Sequence, residues 1–442
     1  MSIEQQDPSP AGRVAGTDEA PDTPAALPHG AAAAAAGEST PEPESRSARF
    51  LREVTSGSGM ITVLAILVGL VAGAVLIVVT NSSVLAAMQY FAAAPGATFR
   101  AVGDTVGGAY AALFRGGIYD YTQTSFIAGL QPLTQSMSFA VPLIAAGLGI
   151  GIGFRAGVFN IGGQGQMLAG GAFAGWIAYA LPMPAALHIP VAILGALVGG
   201  AICAGIAGLL KATTGAHEVI VTIMLNYVAL YMVGYLLTTA LKAPGSNNPI
   251  SPAALPSAVL PGKTAGLNLG FVLAIALTLA AAWLMNRSAL GFQFRAVGEN
   301  PRAARVAGIS VKKVVILTMI ISGAFVGFAG AYEVLGQTTS GFTNVLDAGV
   351  GFNAITVALL GRNKPWGIFW AGILFGVFQA GGYAMQASQG VDIDVIQVVQ
   401  SAIVLFIAAP PLVRAIFRLP EAGGRTKRTR SPKRTTKEAV AR

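Results

Sequence analysis

From Met60 onward the apolar residues gather into runs whose length, near 20 residues at ~1.5 Å rise each, matches the roughly 30 Å hydrocarbon core of a bilayer. The pattern predicts transmembrane helices at about 60–80, 134–154, 163–181, 188–210, 217–241, 268–286, 314–335, 349–361, 366–386 and 394–416. The first, MITVLAILVGLVAGAVLIVVT, is the clearest, and the eighth is short enough to be a broken or half helix. The stretch 81–132 is only moderately apolar and carries Arg100, Asp104, Arg115 and Asp120, so it reads as an external segment with amphipathic pieces. The expected fold is an all-α polytopic membrane protein of about ten transmembrane helices with a broken-helix region.

Composition agrees: 54% of the 442 residues are hydrophobic and 11% charged, against roughly 25% charged in an average soluble domain. A soluble enzyme is disfavoured. The net charge of +9 would ordinarily suggest a nucleic-acid partner, but its location points elsewhere. Residues 1–45 hold eight acids and one base, Arg13, while 421–442 hold eight bases and two acids. The expected domains are a disordered acidic cytoplasmic tail (1–56), a membrane domain (57–418) and a basic cytoplasmic tail (419–442).

Orientation follows from the Lys/Arg bias of short loops. Arg46, Arg49 and Arg52 precede the first span, and ten spans return the C-terminus to the same, cytoplasmic side. Of the 28 Lys and Arg, only Arg100, Arg115, Lys242 and Lys263 then fall outside. The basic tail reinforces this topology and could also bind anionic membrane lipid. No nucleic-acid partner is expected.

The longest internal cytoplasmic loop, 287–313, reads RSALGFQFRAVGENPRAARVAGISVKK. Asn300 is a natural N-cap, Pro301 suits the first helical position and Gly308 ends the turn, which predicts a short projecting helix. Arg302 and Arg305 would give it a basic side, and Val306 and Ile309 an apolar one, fit for a groove on a partner protein. A basic loop that merely obeys the positive-inside bias is the alternative.

Glycines at 147, 149, 151, 153, 157, 162, 163 and 165 interrupt an otherwise apolar region, each costing about 1 kcal/mol in a helix interior. Either helices pack closely there, as the spacing of Gly149, Gly153 and Gly157 allows, or a discontinuous helix exposes backbone, with Asn160, Gln164 and Gln166 lining or closing a pathway. Asn226 and Tyr227, and Phe352, Asn353 and Thr356, could hydrogen-bond and stack a neutral polar ligand, or act as interhelical glue. Glu218 and Glu333 lie near span ends and read as interface residues. His188, His217 and the single cysteine, Cys203, form no plausible metal set. The string SAVLPGKT has Ser257 where a phosphate-binding loop needs its first glycine. ATP hydrolysis in this chain is therefore not expected.

Four ordered segments carry a resemblance. ALGFQFRAVGENPRAARVAGI, GFRAGVFNIGGQGQMLAGG, HEVIVTIMLNYVA and GVGFNAITVALLGRNKPWGI resemble motifs of bacterial ABC importer permeases, in the branch serving nucleosides, simple sugars and branched-chain amino acids. Nucleoside-type members are the most similar, although this chain has Gln164-Gly165-Gln166 where Glu-Gly-Gln is common. The resemblance covers about 130–415. It implies a non-catalytic, multi-pass subunit of the bacterial inner membrane, binding no cofactor. Its partners would be a second homologous permease, a cytoplasmic ABC ATPase that uses ATP and Mg, and an external substrate-binding lipoprotein. It further implies ATPase coupling through Arg295, Asn300, Pro301, Arg302, Ala304, Arg305, Ala307 and Gly308. Candidate path residues are Phe159, Asn160, Gln164, Gln166, Asn226, Tyr227, Phe352, Asn353 and Thr356. A purine nucleoside is the expected solute, a ribose-like sugar the runner-up and a branched-chain amino acid third; a secondary carrier or channel is the remaining alternative.

Overall fold

The computed structural model describes residues 58–262, 267–409, 412 and 415–418. The two expected tails, the Lys263-Thr264 end of the SAVLPGKT string and residues 410, 411, 413 and 414 of the last expected span lie outside them. Every described regular element is helical: α1 (Ser58–Thr80), α2 (Ser82–Gln89), α3 (Pro95–Gly117), α4 (Phe126–Gly129), α5 (Gln131–Arg155), α6 (Gly163–Ala180), α7 (Ala185–Thr214) and α8 (Glu218–Thr238). Then follow α9 (Leu269–Arg287), α10 (Ala289–Glu299), α11 (Pro301–Val306), α12 (Val311–Tyr332, continued by a π-helical turn to Gln337), α13 (Val350–Leu360), α14 (Pro365–Gln389) and α15 (Ile393–Ala408).

Each of the ten apolar runs forms a helix, but among the described residues six helical segments are long and apolar enough to cross a membrane unaided. These contain α5, α7, α8, α9, α12 and α14. The others fall short for physical reasons. α1 and α2 qualify only as a pair bent through 68°, the bend lying at Asn81, whose side chain accepts from the Ser83 and Val84 amides and starts α2 afresh. α6 opens on Gly-Gln-Gly-Gln, α13 has 11 residues and α15 has 16.

α12 packs against α5, α6 and α7. Small residues set that distance: a side chain at Gly170 would lie 2.6 Å from Gly327 Cα, and one at Gly323 or Gly330 would strike the carbonyl of Gly200 or Met167. Backbones in contact maximise dispersion in a setting where lipid competes equally for apolar surface. α3 runs antiparallel to α14, with Gly108 beside Gln389, Gly116 beside Ala384 and Gly117 beside Val377. Its Ala109 and Ala112 are buried in a cluster with Ile77, Met385, Val391 and Ile396. The Tyr110 hydroxyl donates to the Leu70 carbonyl of α1. His188 is fully buried, with hydrogen bonds to Ser257 Oγ (2.8 Å) and the Ile177 carbonyl (3.0 Å), a core role.

Candidate functional site

Between α5 and α6 the chain stops being helical inside the protein. Gly157 turns it with φ +71°, a conformation that favours glycine, and 158–162 run without helix until Gly163. Polar backbone at such depth needs internal partners, and side chains supply them. Asn160, fully buried, uses all four of its hydrogen-bonding positions. Its Oδ1 accepts from the Gly162 amide (3.0 Å) and from Gln166 Nε2 (2.7 Å). Its Nδ2 donates to Gln166 Oε1 (2.9 Å) and to Ser322 Oγ of α12 (2.8 Å). Asn226, buried on α8, accepts from the Gly165 amide (2.9 Å) and donates to the Ile161 carbonyl (3.0 Å). A neighbouring helix thereby caps α6, whose first amides have no intrahelical acceptor.

A matching interruption follows α12. Beyond Gln337 the chain runs antiparallel to α6: the Phe342 ring lies over Gly175, Leu346 over Gly171, and Gly351 against Gly163. The Asp347 carboxylate accepts from the amides of Gly349 (3.1 Å) and Gly351 (2.7 Å), and α13 begins. α13 then runs toward Asn363, whose carbonyl accepts from Arg155 Nε (3.1 Å) at the end of α5. α6 and α13 therefore start side by side and run apart, with their partly positive N-terminal ends converging. Asn226 is two turns into α8, ~12 Å along it, and the 11 residues of α13 rise ~16 Å. The junction thus lies near the middle of α8, a helix long and apolar enough to cross a membrane. Discontinuous helices meeting midway along a span are the device by which many transporters present backbone dipoles to a solute.

Of the residues expected to line a path, Asn160, Gln166 and Asn226 are joined into the buried network. Phe159, Tyr227 and Phe352, which follow or precede buried contacts by one residue, are 54%, 54% and 53% exposed and border it. Gln164 also borders it, half-buried in the first turn of α6. Asn353 and Thr356 are half-buried on α13 and make no hydrogen bond to the network. Ser322 has no signal in the sequence, because its bond to Asn160 spans 162 positions. Asp347 acts locally, on amides two and four residues on, and an Asp just ahead of a short apolar helix is the capping signal that could have found it.

The opposite end of α5 from its start, at Arg155, gathers the basic loops. Gly298 of α10 packs on the Arg155 carbonyl, so α10 lies across the end of α5. Lys211 and Glu218 pair at 2.5 Å across the α7–α8 turn. Here α11 projects. Asn300 Oδ1 accepts from the Arg302 and Ala303 amides, both at 3.0 Å, and Pro301 occupies the first helical position. Gly308, at φ +82°, closes α11: its amide donates to the Arg305 carbonyl (3.0 Å), and the Ile309 amide to the Ala304 carbonyl (2.9 Å). Ala304 is buried and anchors the stub; Arg302, Arg305, Ala307 and Gly308 are exposed, and Val306 is 91% exposed. Arg295 is half-buried on α10, with one guanidinium nitrogen buried and unpartnered.

Residues 132–408 match the family described as branched-chain amino acid transport system / permease component. The guanosine ABC transporter permease protein NupP of Bacillus subtilis is 34% identical over 362 residues, 81% of this chain and 95% of that protein. The nucleoside ABC transporter permease protein NupB of Lactococcus lactis is 33% identical, covering 69% of this chain and 86% of its own length. The glucose ABC transporter permease protein TsgB13 of Haloferax volcanii is 34% identical, covering 62% and 75%. No solved structure matches.

Proposed function

This chain belongs to the family of branched-chain amino acid transport system permease components, and we propose that it carries a nucleoside, guanosine or a related purine, through the inner membrane of a bacterium as one permease subunit of an ATP-driven importer. The observation that carries the reading is the alignment along 95% of a permease named for guanosine. The neutral amides and half-exposed rings at the α6–α13 junction agree with it, since an uncharged, flat and polar solute needs no ionic partner there; the Asp347 carboxylate at the start of α13 is already held by the Gly349 and Gly351 amides.

In this reading the ten apolar runs all cross or enter the membrane, α6 and α13 as partners of the non-helical stretches beside them. Both termini are cytoplasmic, and 81–132 contributes external surface. Arg295, Asn300, Pro301, Arg302, Ala304, Arg305, Ala307 and Gly308 form the contact with a cytoplasmic ATPase, which binds ATP and Mg in its own chain. A second, homologous permease completes the path, an external lipoprotein delivers the solute, and anionic lipid contacts the basic face.

The test is uptake of radiolabelled guanosine by vesicles holding the assembled importer with its lipoprotein. ATP-dependent accumulation, competed by other purine nucleosides, is expected. Accumulation of glucose without guanosine would replace this reading by the sugar one, for which TsgB13 speaks. Ion-gradient-driven uptake by this chain alone would overturn both.

A further inference from the structure

At the end of the bundle remote from α11, the start of α5, the end of α3, the 118–125 loop and α14 border an open cleft of about 400 Å³, within the roughly 300–1,000 Å³ typical of small-molecule sites. Gln131, Gln135 and Phe139 line one wall. Their four-residue spacing puts them on one face of α5. Tyr383 of α14 faces them, its ring 5.6 Å from that of Phe139, centroid to centroid. Gln131, Gln135 and Tyr383 are all exposed, and the two side-chain amides and the phenol have no hydrogen-bond partner among the described residues. Asp120 stands at the rim, its carboxylate already engaged by the Thr122 hydroxyl (2.6 Å) and Gln123 Nε2 (2.9 Å). Those bonds hold its carboxyl below the usual carboxylate range, so it is ionised and tied down.

Such a lining does not suit an acyl chain. It offers an aromatic wall for a ring face, with free amide donors and acceptors and a phenol around it. The geometry points to an entry site here for a neutral solute that combines a flat ring with hydroxyl groups, a nucleoside above all. Its place fits. α5 has 25 residues, so Gln131 lies ~36 Å from Arg155 and the basic loops, on the side from which an importer receives its cargo. The inference rests on the permease reading above, and adds a site that none of the residues drawn from the sequence motifs includes.

The experiment uses the assembled importer with its lipoprotein in lipid nanodiscs, photolabelled with 8-azidoguanosine, and the same complex in vesicles for uptake. Label is expected in peptides containing Gln135, Phe139 or Tyr383, competed by excess guanosine. Gln135→Leu and Tyr383→Leu are each expected to lower both labelling and uptake roughly tenfold, the loss typical of one good polar or stacking contact. Tyr383→Phe keeps the ring and should lose less than Tyr383→Leu. ATP hydrolysis and co-purification with the partners should stay at wild-type level, which a folding defect would not allow. Wild-type uptake in both leucine variants, or label only elsewhere in the complex, would overturn the cleft while leaving the permease reading intact. If the wild type takes up glucose and not guanosine, the nucleoside assignment of the cleft falls. If it takes up neither, both readings fall.

Discussion

Gly163 and Gly351, at the starts of α6 and α13, meet backbone to backbone. A Cβ on Gly163 would lie 2.8 Å from the Gly351 carbonyl oxygen, and one on Gly351 would overlap the Gln164 amide. Backbone cannot swing aside as a side chain can, so the two half helices are held at a separation only glycine permits. Gly351→Ala is expected to destabilise the protein by about 1–3 kcal/mol, the usual cost of overpacking a close contact. Gly103, on α3, has nothing within 4 Å of where its Cβ would be. Gly103→Ala should therefore be neutral or gain up to about 1 kcal/mol of helix propensity. Thermal unfolding of the detergent-purified protein separates the two. Equal melting temperatures for both variants would mean that α6 and α13 do not touch.

Asn226 is expected to matter through α6. In Asn226→Ala the Gly165 amide and the Ile161 carbonyl both lose their partner, at a cost of about 1–3 kcal/mol for buried groups left unsatisfied. Asn226→Asp keeps the acceptor and sets a negative charge at the N-terminus of α6, which favours it, while losing the donor to Ile161. It should recover part of the loss. Hydrogen exchange reads this locally: the amides of the first turn of α6 should exchange faster in Asn226→Ala than in Asn226→Asp. Unchanged protection in Asn226→Ala would refute the cap.

What could be read in the sequence depended on how local its cause was. α11 is fully specified within nine residues, by Asn300, Pro301 and Gly308, and forms as those residues dictate. The weak eighth run was legible as a short helix for the same reason, since length needs no partner. Asn160 is different: the glycines around it showed that the chain bends, but its bond to Ser322 spans 162 positions and has no sequence signature. α3 was obscured by Arg100, Asp104 and Arg115. Its packed face consists of Gly108, Ala109, Ala112 and Gly116, small residues whose value lies in close approach and not in hydropathy. The cleft at Gln135 and Tyr383 joins α5 to α14 across the bundle, and only the fold reveals it.

The caps of α11 give a graded prediction. Asn300→Ala removes the acceptor of two amides, at about 1 kcal/mol, enough to fray a helix of six residues. Asn300→Asp presents the same acceptor geometry. Uptake by the assembled importer should fall in the alanine variant and return in the aspartate one, with equal amounts of protein in the membrane. Loss in both would mean that Asn300 acts through its amide nitrogen and not as a cap.

Arg302 and Arg305 are exposed and make no ion pair or side-chain hydrogen bond among the described residues, and Val306 is 91% exposed between them and the end of the stub. An apolar side chain left bare on a basic projection is a poor device for folding or solubility and a good one for docking, because the bared area becomes favourable only when a partner covers it. Since these side chains support nothing in the chain itself, Arg302→Glu, Arg305→Glu and Val306→Asp should leave its stability within about 0.5 kcal/mol of the wild type, as surface changes usually do. Reversing charge or adding charge at a docking surface commonly costs several kcal/mol of association, so ATP-dependent uptake and co-purification of the ATPase should both collapse. The two readouts must move together. If uptake falls while the ATPase remains bound at full occupancy, α11 transmits motion without contributing affinity. If uptake and binding both persist in all three variants, α11 is a topological feature of a basic loop and the ATPase contact lies elsewhere on this face.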